Sequence, residues 1–203
     1  MTLPTIRRAD FNHALVHLTR ERIEYSDSSN SFFDPPKIVR TVQPFEVLKE
    51  ILTAGVVRGS GNEGFVKGSQ KAVCLSEIPL SAVPYFASRP EEVNARYRFY
   101  GIALSKKGIF AAGGRPVIYL PDNEAQWIPA DQKWRHVRYE IGAVDFTHER
   151  EWRVPENLDL AVVPGIYVLV WSPTEAKEIY AMQSPVSKLI RGVLPMEHVT
   201  QML

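Results

Sequence analysis

Two periodicities run along this chain. Apolar residues that alternate with polar ones mark a strand with one buried face, and apolar residues three or four apart mark a helix with one buried stripe. Residues 12–19 (Asn-His-Ala-Leu-Val-His-Leu-Thr) predict a first strand. Residues 20–40 are polar, with Ser-Asp-Ser-Ser-Asn-Ser ahead of Asp34-Pro35-Pro36, and predict a long loop or lid. The clearest helix follows. Pro44 suits a first turn, Phe45, Leu48, Ile51 and Leu52 recur at helical spacing, and Gly55 supplies a stop. Residues 71–75 read as a strand that enters Ser76-Glu77-Ile78-Pro79-Leu80, and a short helix is expected from about residue 90 to 98. Strands are expected at 100–104, 116–120, 139–145, 152–154 and 165–171, and short helices at 173–180 and 184–192. Strands outnumber helices without alternating regularly with them, which disfavours a doubly wound parallel sheet. The expected fold class is α+β, with mixed, mainly antiparallel sheets and short flanking helices.

Bulk composition sharpens this picture. A length of 203 residues suits one domain spanning 1–203 with its own core. Scattered prolines, 15 in all, fit many short elements joined by turns better than a helical bundle. The net charge of +1, from 24 basic and 23 acidic residues, argues against bulk duplex DNA as a dominant partner while leaving room for a local basic patch. The one cysteine, Cys74, excludes an internal disulfide framework and a cysteine-rich zinc site. No apolar run of signal-peptide length follows the N-terminus, and the longest apolar stretch, 160–171, is interrupted by Pro164 and Gly165. A bilayer span takes about 20 apolar residues, so this stretch reads as core strand. No membrane partner is expected, and the cytoplasm is the expected compartment.

The common nucleotide-loop, zinc-protease and serine-elbow motifs are absent from the sequence, and the histidines at 13, 17, 136, 148 and 198 lack the spacing of zinc ligands. No metal is therefore expected. Three segments carry the candidate chemistry. His17-Leu18-Thr19 ends the first strand, where His17 is either satisfied by backbone or donates to a ligand, with Thr19 beside it. In Val73-Cys74-Leu75-Ser76-Glu77, alternation puts Cys74 and Ser76 on one face, and Ser76 either caps the turn begun by Pro79 or lines a pocket. The third is Asp145-Phe-Thr-His148-Glu149-Arg150-Glu151-Trp152-Arg153-Val154-Pro155. In an extended chain Glu149 and Glu151 point to one side while Trp152 and Val154 anchor the other. Such a segment is either an exposed, ion-paired strand or a carboxylate pair that supports positive charge developing on a sugar carbon. Separately, Lys133-Trp134-Arg135-His136-Val-Arg138-Tyr139 interleaves cations with aromatics. That pattern fits either a solvated edge or a nucleic-acid surface.

Taken in order, His17-Leu-Thr, Cys74-Leu-Ser76-Glu and Glu149-Arg-Glu151-Trp-Arg resemble the three-part signature of ADP-ribosyltransferase-like domains. His17-Leu-Thr with Val47-Leu-Lys-Glu-Ile51-Leu-Thr-Ala-Gly55 resembles the opening of DarT-type DNA ADP-ribosyltransferases. Val73-Cys-Leu-Ser-Glu-Ile-Pro and Phe146-Thr-His-Glu-Arg-Glu-Trp-Arg resemble the AbiGi group of abortive-phage-resistance proteins. The DarT-type tyrosine signature after the first helix and an unambiguous Ser-Thr-Ser are missing. The resemblance implies an ADP-ribosyltransferase-like fold and NAD as co-substrate, with the nicotinamide–ribose bond cleaved and ADP-ribose passed to a protein or nucleic-acid acceptor. It gives Glu151 the ribose hydroxyl and the transition state, and Glu149 the acceptor. His17 and Thr19 would hold the adenosine-ribose side or the amide of NAD, and Ser76 would sit near the nicotinamide ribose. Tyr100, outside any matched motif, is expected to stack on nicotinamide. The biological setting implied is a bacterial phage-defence or toxin–antitoxin system. The alternative is a non-catalytic antitoxin, or a nucleic-acid- or protein-binding module, with a cognate toxin or antitoxin as partner.

Overall fold

The computed structural model of the chain describes residues 13–25, 38–62, 65–87 and 97–201. The first third of the chain forms β1 (Ala14–Leu18), β2 (Arg22–Tyr25), β3 (Ile38–Val42), α1 (Pro44–Ala54), β4 (Val56–Val57) and β5 (Ala72–Ser76). Next come α2 (Val83–Phe86), β6 (Gly101–Ser105), α3 (Lys106–Ala111), β7 (Arg115–Pro116), β8 (Ile118–Leu120) and β9 (His136–Arg138). The last third supplies β10 (Glu151–Pro155), β11 (Leu158–Asp159), β12 (Ile166–Val170), α4 (Pro173–Ala181), β13 (Ile190–Pro195) and α5 (Met196–Gln201).

Seven strands make the central sheet in the order β13-β12-β6-β1-β5-β10-β7. Every neighbouring pair is antiparallel except β12 and β13, which are parallel and joined through α4 as parallel pairing requires. The fold is thus mixed α+β with a mainly antiparallel sheet and short helices. Alternation gives the sheet two different faces. Leu15, Val73, Leu75, Ile102, Leu104, Trp152, Val154, Val168 and Val170 are buried on one, against Leu48 and Leu52 of α1, Ile109 of α3 and Ile179 of α4. Fully burying such a side chain contributes roughly 1.5–3 kcal/mol, so this helix-covered face is the larger source of stability. The other face is patchier. Val16, Ala103 and Leu169 meet Ile78, Val83, Phe99 and Met196, while Ala72 meets Val66 and Trp134.

Local signals explain the helices. Pro44 is buried in the first turn of α1, and Gly55 ends the helix at φ 67°, its N–H donating to Ile51 O. In α4 a reciprocal capping box is complete: Ser172 Oγ accepts from the Glu175 N–H, and the Glu175 carboxylate accepts from the Ser172 N–H at 2.8 Å. No helix among the described residues is long and apolar enough to cross a membrane.

Several sequence expectations are corrected. The stretch 20–40, read as a loop or lid, contains β2 and β3, which pair antiparallel; residues 26–37 lie outside the described ones. Both of these strands are largely exposed, so they lack the buried stripe that marks a strand in sequence. Residues 184–192, read as a helix, hold only a 3-10 turn at Ser187–Leu189 before β13 begins. Pairing with the buried β12 overrides the helical start signal there. Residues 139–145, read as a strand, turn back on themselves through the Glu140–Val144 bridge, with Gly142 at φ 79°. The expected strand 116–120 divides into β7 and β8. The helix expected at 90–98 falls mostly on residues 88–96, outside the described ones.

Candidate functional site

Strand register decides which candidate residues can meet. Val16 of β1 lies opposite Ser76 of β5, and Ser76 lies opposite Glu151 of β10. Directly opposed residues share a face, with Cβ atoms about 4.5–5.5 Å apart. Ser76 and Glu151 are therefore side-by-side neighbours. Cys74 and Arg153, paired in the next row, lie on the same face. Together these residues form a polar strip between the two small apolar clusters of that face.

Glu151 is almost fully buried and accepts a 2.7 Å hydrogen bond from Arg153 Nε through Oε1. Arg153 is itself held by the carbonyl of Trp134 at 2.7 Å. Burial opposes its charge, and the Glu151 carboxylate, with Cys74, more than compensates, so its pKa is raised. Burial, and then the Glu151 charge, push the Cys74 thiol up to about 12, which makes it a poor nucleophile. The Glu151 N–H donates to Tyr119 Oη at 2.9 Å, and Tyr119 donates to Phe146 O at 3.2 Å. Burial raises the Tyr119 phenol to about 12. One tyrosine thus ties the start of β10 to the turn before it.

His17, Thr19 and Tyr100 belong to the opposite, helix-covered face. His17 pairs with Ile102 of β6, and Tyr100 packs in the main core with its ring 5.5 Å from Phe45. The His17 Nδ1 lies 2.9 Å from Cys74 O; a carbonyl only accepts, so Nδ1 carries the proton. Burial pushes the His17 pKa below its ordinary value. Thr19 Oγ1 sits 2.9 and 3.1 Å from the carbonyls of Pro44 and Tyr100, where its proton is spent. Tyr100 Oη donates to Glu175 Oε1 at 2.8 Å, joining the capping box of α4. The structure therefore brings Ser76 and Glu151 together and puts the sheet between them and His17, Thr19 and Tyr100.

Glu149 departs from the extended-chain expectation. It ends a 3-10 turn, Thr147–Glu149, and Arg150 follows in the left-handed region at φ 47°. The alternation that would align Glu149 with Glu151 is broken at that residue.

Glu77 carries no signal of its own in the sequence beyond its place in the phrase Cys74-Leu-Ser76-Glu, yet among the described residues it anchors a well-connected polar cluster. Its Oε1 accepts from Lys106 Nζ at 2.6 Å and from Arg150 Nη2 at 3.2 Å, and its Oε2 accepts from Trp152 Nε1 at 2.9 Å. Lys106 also stands 5.2 Å from the Trp152 ring centre. Arg153 escaped notice as well, although its position two residues from Glu151 on an alternating strand was a usable signal. Nothing local in the sequence could have found Glu77 or Tyr119, because their partners lie far along the chain.

Within the segment 133–139, Trp134 has no exposed ring to stack on a base. Trp134 is buried, and its Nε1 donates to Asp131 O. Arg138 pairs with Glu140 at 2.8 Å. Among the described residues no cluster of His, Cys, Asp and Glu is arranged to hold a metal ion. Comparison of the chain with family models, with curated proteins and with solved structures gives no match.

Proposed function

We propose that this chain is an ADP-ribosyltransferase-like protein that uses NAD as its substrate, with Glu151 and Ser76 as the reacting-site pair. The observation that carries this reading is their adjacency: a carboxylate and a hydroxyl on one face, in directly opposed register. That donor and acceptor set suits the two hydroxyls of a ribose. The Arg153 hydrogen bond fixes how the carboxylate points. In the reaction the nicotinamide–ribose bond breaks, and nicotinamide leaves with the bonding electrons. The ribose carbon, left cationic, is captured by an acceptor oxygen or nitrogen that gives up its proton. Glu151 supplies fixed negative potential to that cation, the kind of contribution worth on the order of 10²–10³ in rate. His17, Thr19 and Tyr100 act in this reading from behind, bracing β1, β5 and the start of α4. On the same resemblance the chain belongs to a bacterial phage-defence or toxin–antitoxin system, with a protein or nucleic-acid acceptor.

A second reading rests on the Arg153 contact. A buried guanidinium 2.7 Å from Glu151 cancels much of the negative potential that an oxocarbenium centre needs. On that reading the chain is a non-catalytic module that docks a cognate partner. Nicotinamide release from NAD by the purified chain, beside Glu151→Gln, separates the two. Release that falls at least a hundredfold in the variant supports the enzyme. A folded chain that neither binds NAD nor releases nicotinamide with any acceptor leaves the docking module.

A further inference from the structure

We infer that Arg115 and Arg135 form a binding site for a phosphate group at the edge of the central sheet, separate from the Ser76–Glu151 pair. The two side chains line one open depression of about 310 Å³, together with Gln70, Gln132, Asp131 and Trp134. Such a volume matches the lower end of small-ligand pockets.

Each guanidinium is fixed from one side by backbone carbonyls. Arg115 Nη1 donates to Phe110 O at 2.9 Å and to Gly114 O at 2.7 Å, and its guanidinium carbon lies 4.0 Å from the Phe110 ring centre. Arg135 donates through Nε at 3.3 Å and Nη2 at 3.2 Å to the carbonyl of Pro116, the residue next to Arg115. Among the described residues these bonds leave Nε and Nη2 of Arg115 and Nη1 of Arg135 without an acceptor, and neither side chain pairs with a carboxylate. Two pre-oriented guanidinium groups at one depression repel each other until an anion joins them, and their forked donors match phosphate oxygens. Gln70 and Gln132 are neutral polar residues of the same lining. Asp131 is the one acidic side chain among the described residues that line it; it is exposed and accepts from Gln132 Nε2 at 3.4 Å.

The backbone builds this placement. Gly113 takes φ 90°, and a Cβ on Gly114 would lie 2.4 Å from the Ile109 side chain, so the turn that leads into Arg115 needs both glycines. Arg115 then opposes Arg153 in register. The depression thus begins one strand outward from Arg153.

The test follows the arginine Nε–Hε resonances of the full chain while inorganic phosphate is added at constant ionic strength. Saturable shifts at Arg115 and Arg135, with none at the exposed Arg191, are expected. Arg135→Gln should weaken phosphate binding at Arg115 by about tenfold, the usual loss for one charge-assisted bond. Arg115→Lys keeps the charge without the fork and should also weaken it, in a chain whose backbone spectrum shows it folded. Repeating the titration with a mononucleotide and with a short single-stranded oligonucleotide identifies the source of the phosphate. A tighter oligonucleotide, released by added salt, points to a nucleic-acid backbone; equal or tighter mononucleotide binding points to a free nucleotide. Shifts that never saturate, or that appear equally at Arg191, overturn the proposal.

Discussion

The two faces of the central sheet each carry one nearly buried glutamate, and the two are held in opposite ways. Glu77, on the Trp152 side, gathers donors from three parts of the chain: Lys106 at the start of α3, Arg150 in the turn and Trp152 in β10. Glu151, on the Ser76 side, has a single charged partner among the described residues, Arg153, two residues away on its own strand. The first glutamate connects elements. The second finds its charged partner within its own strand, and that partner is the more deeply buried: Arg153 is 3% exposed, against 23% for Lys106 and 38% for Arg150. A cation that can reach water is rehydrated when its carboxylate is lost, and a buried one is not. Burial of the partner, and not the number of contacts, should therefore rank the two sites in stability.

The largest effect is expected at the poorly connected glutamate. Glu151→Ala leaves Arg153 charged and buried, which costs about 3–5 kcal/mol in urea unfolding. Removing both partners in Glu151→Ala with Arg153→Met should recover much of that loss, because the stranded charge is gone. A double variant no more stable than the single one would break the comparison. Glu151→Gln retains an acceptor for Arg153 and should cost less, which makes it the right variant for the nicotinamide assay.

Glu77→Ala comes next, at roughly 2 kcal/mol. That figure lies below the buried-pair range because Lys106 and Arg150 regain water. Equal or larger destabilisation than Glu151→Ala would mean that connection between segments outweighs desolvation.

These differences also mark what the sequence could reveal. Alternation and spacing located α1, α4 and most of the central strands, though not β13, because a buried stripe leaves a period in the sequence. Alternation set Cys74 beside Ser76 on one face of β5; that Ser76 and Glu151 meet came only from the resemblance, and the register of β5 with β10 makes them neighbours. Alternation could not tell that His17, Thr19 and Tyr100 stand behind the sheet, because the face a strand presents depends on its register with strands elsewhere in the chain. Glu77, Tyr119 and the Arg115–Arg135 depression escaped for the same reason. The alignment of Glu149 with Glu151 failed for a local reason: one left-handed residue, Arg150, ends the alternation.

Acid should sharpen the contrast between the faces through His17. Its folded pKa is held below the ordinary 6.5 by burial. Above pH 6.5 the ring is neutral in both folded and unfolded chains, and stability is complete. As the pH falls below 6.5 the unfolded chain takes up a proton that the native ring refuses, so stability declines until the native pKa is passed. The slope for one group is at most about 1.4 kcal/mol per pH unit. His136 has the same direction of shift, also from burial, and adds to the slope. His17→Gln should flatten the decline in melting temperature between pH 7 and 5. An unchanged slope would place the acid sensitivity elsewhere.

The smallest effect, at Arg150, probes the joint between the two glutamates. A non-glycine residue in the left-handed region costs about 1–2 kcal/mol, whereas glycine adopts it freely. Arg150→Gly therefore loses the contact to Glu77 but relieves the backbone, and its stability should stay close to that of the parent. Arg150→Ala loses the same contact and keeps the strain, so it should fall about 1 kcal/mol below the glycine variant. If the two variants melt together, the turn is free to relax toward the extended form once the Arg150–Glu77 contact is gone. Glu149 would then be restrained by that ion pair and not by the fold. Restoring alternation would bring Glu149 to the side of Glu151, giving the carboxylate pair that an extended chain predicts.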